Sequence, residues 1–146
     1  MAGKFKLQSV LNYRQLLEDQ AQQVLTASLQ KQGKLEAKLQ QQRQKLQQND
    51  SELKQRQEEG LTVAEIYLYE SQIQHCQRLI GDLQDRLKQL EQQIISERKG
   101  LLHAARERQV MAKLKDKQEA EYRQELSRKE RVVLDEISLR NKGNNS

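Results

Sequence analysis

"EEGLTVAE", residues 58–65, decides how this chain is organised. Gly60 suits a helix C-terminus, because a residue without a Cβ enters the left-handed conformation at no steric cost. Thr62 and Glu65 have the spacing of a capping box, in which the hydroxyl takes one backbone N–H and the carboxylate reaches back to another. A stop signal and a start signal within six residues predict a tight turn over about residues 59–62. So short a turn makes the two flanking segments antiparallel neighbours.

Both flanks carry helical periodicity. After the turn, Tyr69, Ile73, Cys76, Ile80, Leu83, Leu87, Leu90 and Ile94 alternate spacings of four and three, a strict heptad seam. It continues less regularly through Leu101, Ala104 and Met111. Beyond that the apolar residues drift to Leu114, Tyr122, Leu126, Val133 and Ile137, a pattern that predicts a stutter in the supercoil. Before the turn, Leu25, Leu39, Leu46 and Leu53 recur at multiples of seven and Leu35 takes the other heptad position. Gln32, Gln42 and Asn49 interrupt that seam; polar residues there weaken a coiled coil but help to fix its register.

Composition agrees. Hydrophobic residues make up 35% of the chain and aromatic residues only 3%, too little to fill a globular core. Such a chain is either disordered or a long helix burying a narrow stripe, and the absence of proline favours the helix. The expectation is an all-α fold: a long two-helix antiparallel coiled-coil hairpin in one domain, residues 1–146. Helices are expected over about 7–58 and 63–140, with a frayed tail over 141–146.

The lengths are unequal. If the turn centres near Gly60 and Leu61, residue i faces roughly residue 121 minus i. Leu53 is then expected near Leu68, Leu46 near His75, Leu39 near Asp82 and Leu11 near Val110. At about 1.5 Å per residue the first helix spans about 80 Å and the second about 115 Å. The last two dozen residues therefore overhang. They contain "EYRQELSRKERVVLDE", 121–136, where Leu126, Val132, Val133 and Ile137 are read along one side of a charged helix. An apolar stripe on a lone helix calls for a partner from outside the chain.

No catalytic constellation is evident. His75 and His103 lie 28 residues apart with no ligand set around them, and neighbours such as His75 and Cys76 point about 100° apart on a helix. No glycine-rich phosphate loop occurs, so the chain reads as a non-enzyme without metal or cofactor. The charge of +5 is interleaved in sign and lacks the aromatic side chains that stack on bases, which speaks against nucleic acid. No apolar run reaches a membrane span, no signal-peptide core opens the chain, and a single cysteine forms no internal disulfide. Direct membrane insertion is not expected, and a cytoplasmic protein is.

Three stretches resemble the flagellar FliJ family: "FKLQSVLNYRQLLEDQAQ" at the start, "GLTVAEIYLYESQIQ" after the turn, and "LLHAARERQVMAKLKDKQEAEYRQELSRKERVVLDEISLR" at the end. Within the last, Ala105-Arg106, Leu114, Tyr122, Glu130 and Leu134-Asp135-Glu136 fall where the family pattern has them. The resemblance implies a stalk like the gamma subunit of rotary ATPases, working in the type III flagellar export apparatus at the inner face of the cell membrane. It implies three partners: the hexameric export ATPase, the export-gate protein FlhA, and export chaperones. With the overhanging helix in the pore of the ATPase ring, ring binding would fall to Tyr122, Leu126, Val133, Asp135, Glu136 and Ile137. Carried over by position, gate binding would fall to Tyr69, Ile73, Cys76 and Ile80, next to the turn of Gly60, Thr62 and Glu65. The free protein would be a monomeric rod. The stalk of a virulence type III secretion system and a generic cytoplasmic coiled-coil tether share the same physics and remain alternatives.

Overall fold

The computed structural model describes residues 7–144. Two helices account for it, α1 (Gln8–Glu59) and α2 (Val63–Asn144), packed as an all-α helical hairpin. Only Gly60, Leu61 and Thr62 stand between them. Gly60 has φ +97°, a conformation in which a Cβ is strained, and this ends α1. The Glu65 amide then donates to the Thr62 hydroxyl at 3.2 Å, and the Ile66 amide to the Thr62 carbonyl at 3.1 Å. Thr62 is thus the N-cap of α2. The return bond of the expected capping box is not made; the Glu65 side chain lines a shallow cleft with Arg56 and Tyr69.

Contacts divide the chain into two compact units, Ala21–Gly100 on the one hand and Met1–Gln20 with Leu101–Ser146 on the other. In the unit Ala21–Gly100, Leu25, Leu35 and Leu39 of α1 and Cys76, Leu83, Leu87, Leu90 and Ile94 of α2 are buried. Each burial of this kind contributes about 1.5–3 kcal/mol. Gln32, Gln42 and Asn49 hold half-buried positions on the same face of α1. One seam layer is polar: the Ser28 hydroxyl, buried, donates to the Glu97 carboxylate at 2.9 Å, and Gln93 donates to the same oxygen at 2.8 Å.

The other unit is built differently. Leu11 is its one buried apolar side chain among the described residues. The covered face of α2 keeps its heptad spacing through Leu101, Ala104, Arg108, Met111, Lys115, Gln118 and Tyr122, all half-buried. The expected stutter through Leu114 is therefore corrected: Leu114 is exposed, and polar residues carry the phase unbroken. Arg108 donates from Nε to the Glu18 carboxylate, and Arg14 approaches Glu107 at 3.9 Å.

The register also differs from expectation. Ser28 bonds Glu97, Glu18 pairs with Arg108, and Arg56 reaches Tyr69, so residue i faces about residue 125 minus i rather than 121 minus i. The three-residue loop pivots beyond Leu61, and seam side chains interleave rather than oppose. Leu68, His75, Asp82 and Val110, expected opposite the α1 leucines, are all exposed. The tail expected to fray from residue 141 is helical through Asn144; Asn145 and Ser146 lie outside the described residues.

Candidate partner-binding surfaces

Every side chain from Arg123 to Lys142 is exposed. Leu126, Val133 and Ile137 stand 41%, 53% and 48% open. At 100° per residue, Tyr122, Leu126, Val133 and Ile137 fall within an arc of roughly 60°. This stripe extends the face on which Met111, Lys115 and Gln118 are half-buried. Tyr122 is itself half-buried, at the edge where cover ends. Asp135 and Glu136 are exposed beside the stripe. Val132 corrects the expectation of a shared side: it lies about 100° from Val133, on a second face with Leu139. Leu134 and Leu139, both exposed, widen the apolar surface beyond the single stripe that heptad counting isolates.

The residues carried over for gate binding lie on the seam. Cys76 is 5% exposed, and Tyr69, Ile73 and Ile80 are half-buried on the same face. Tyr69 is held at its rim: Arg56 donates to the Tyr69 hydroxyl at 3.1 Å, and that hydroxyl lies 3.5 Å from the Glu52 carboxylate. The Arg56 guanidinium lies 5.9 Å from the ring centroid. The bond to Tyr69 raises the Arg56 pKa further above its usual value, so this group is cationic at any physiological pH. Val63, Tyr67 and Leu68, next to the turn, are the exposed apolar residues of this end. Val63 and Tyr67 stand four residues apart off the seam, a spacing visible in the sequence once the seam phase is known.

His75 and His103 are exposed on α2, and no group of three or more His, Cys, Asp or Glu able to hold a metal occurs among the described residues. Among them, too, no helix is long and apolar enough to cross a membrane. The arrangement offers two surfaces: a helix with an exposed apolar stripe, and a turn end with exposed Val, Tyr and Leu. The sequence matches the family described as Flagellar FliJ protein over residues 3–146. No match was found among curated proteins or solved structures.

Proposed function

Because this chain belongs to the FliJ family, whose members are non-enzymatic components of the flagellar export apparatus, we propose that it is the stalk of that apparatus. The observation that carries the reading is the open stripe of Leu126, Val133 and Ile137 on a helical segment exposed throughout. The hexameric export ATPase covers this segment in its ring. Leu126, Val133 and Ile137 supply the buried contacts, Tyr122 sets the edge, and Asp135 and Glu136 meet polar groups of the ring. A lone helix suits a ring pore, because its backbone hydrogen bonds are satisfied internally and only side chains need partners.

The turn end faces the export gate, FlhA. Tyr69, Ile73 and Ile80 contribute the edges the seam leaves open, and Cys76 acts as packing beneath them. Export chaperones are engaged in turn, and the protein works in the cytoplasm, peripheral to the membrane, as a monomer when free. The test replaces Leu126, Val133 and Ile137 together with Asp. Co-purification with the export ATPase is expected to disappear while circular dichroism shows nearly unchanged helicity. Co-purification at the unaltered level would refute the reading.

A further inference from the structure

We propose that one flank of the unit Ala21–Gly100 is a docking surface for an acidic amphipathic helix of a partner protein. Between Lys31 and Lys45, α1 carries five basic residues against a single carboxylate, Glu36. Helical spacing sorts them. Lys31, Lys34, Lys38 and Lys45 recur at three, four and seven residues and share one side. Glu36 and Arg43, seven apart, lie across from them, and Arg43 lines a separate concavity with Asp50 and Ile73. The four lysines are therefore left without the carboxylate of their own helix.

The facing helix does not neutralise them. With residue i facing about residue 125 minus i, Lys38 faces Leu87 and Lys31 faces Ile94, and the residues flanking these seam positions, Arg86 and Gln93, line the same concavities as Lys38 and Lys31 respectively. These are the flanking heptad positions where antiparallel coiled coils ordinarily place opposite charges. Here a lysine meets an arginine. Lys31, Lys34, Lys38, Lys45 and Arg86 are all exposed, and none has an ion-pair partner among the described residues. Two like charges across a seam cost stability, and an anionic partner would offset that cost.

Shape narrows the partner. Two shallow concavities of about 340 and 370 Å³ lie side by side on this flank, and Arg86 lines both. Lys31 lines one with Leu35, Leu90 and two glutamines; Lys38 lines the other with Leu79, Leu83 and two glutamines. The one carboxylate lining either is Asp82. A basic rim over an apolar floor suits a helix that inserts Leu-sized side chains and flanks them with Glu or Asp. Lysines seven residues apart are about 10.5 Å apart along the axis, which matches carboxylates two turns apart on the incoming helix. Nucleic acid fits less well, since no aromatic side chain lines this flank to stack on bases. A lipid surface fits less well too, because Leu35, Leu83 and Leu90 are buried and offer a flat surface little apolar area.

The test uses the full chain and a synthetic helical peptide with a leucine stripe flanked by glutamates, followed by fluorescence anisotropy. The arms are the same peptide with lysine for glutamate, a mixed-sequence DNA duplex, and vesicles containing phosphatidylglycerol. The acidic peptide is expected to bind at least tenfold more tightly than the lysine peptide. Lys31→Glu/Lys38→Glu/Arg86→Glu should reverse that preference. Arg78→Glu/Lys88→Glu/Lys99→Glu, with the same change of net charge off the flank, should preserve it. Lys38→Glu alone, which gains Arg86 as a partner, should weaken the peptide at least threefold while raising the melting temperature. Tightest binding to DNA or vesicles, equal binding of the two peptides, or equal loss in the off-flank variant would each overturn the proposal.

Discussion

Leu90 and Leu126 lie on the same helix and have opposite fates. Leu90 is 4% exposed on an apolar seam, whereas Leu126 is uncovered within a segment whose every neighbour is also exposed. Both sit on stripes of helical spacing, so periodicity alone does not distinguish a core residue from a waiting one. What separates them is how far α1 extends. The difference shows that an apolar stripe on a helix reports a need for cover, not where the cover comes from.

Substitutions can break this comparison directly. Leu90→Ala is expected to cost about 2–4 kcal/mol in urea unfolding, through lost transfer free energy and the void left behind. Leu126→Ala should change the same measurement by less than about 0.5 kcal/mol, because Leu126 is exposed in a segment whose side chains from Arg123 to Lys142 are all exposed. Similar losses at the two sites would mean that the tail is covered within the free protein. The turn comes next. Gly60→Ala should cost about 1–2 kcal/mol, since φ +97° is strained for any residue with a Cβ even though nothing stands within 4 Å of it. Thr62→Ala should cost about 1 kcal/mol by removing the hydroxyl that accepts the Glu65 amide. A melting temperature unchanged by either would show that the turn contributes no stability. The smallest effect has the opposite sign. Gly33→Ala should stabilise by about 0.5–1 kcal/mol, because an added Cβ meets nothing there and alanine is the better helix former. A loss at this site would point to a contact on the outer face of α1.

How much of this could be read in the residues follows from what each part depends on. The hairpin was legible because its turn is local: Gly60 and Thr62 act on their own backbone, and the seam from Tyr69 to Ile94 is apolar enough to count. The unit containing both helix ends was not. Its covered positions on α2 are filled by Arg108, Lys115 and Gln118, so an apolar count drifted toward Leu114, which is exposed. A polar side chain gives no sign of which face it takes until its partner, such as Glu18, is placed beside it. The overhanging stripe was visible in part. Leu126, Val133 and Ile137 share a face, but Val132 joins Leu139, seven residues on, because adjacent residues point about 100° apart on a helix. The basic flank was invisible for a sharper reason. A register error of about four residues sets Lys38 opposite Leu83 instead of Leu87, and the adjoining Arg86 no longer shares its concavity.

The bond between Ser28 and Glu97 has a consequence for how the two helices find one another. Leucines and isoleucines repeating every seven residues are nearly interchangeable, so two such strips can zip up one heptad out of step and lose little apolar contact. A slip in one direction would set the Glu97 carboxylate against Leu35; a slip in the other would set it against Ala21. Neither offers a hydroxyl, so the half-buried carboxylate would keep Gln93 of its own helix as a donor and lose the one bond that crosses the seam, at a cost. The buried Ser28, with the half-buried Gln32, Gln42 and Asn49 on the same face, therefore acts as a proofreading mark. It adds little to the correct alignment and makes the wrong ones expensive enough to come apart and try again.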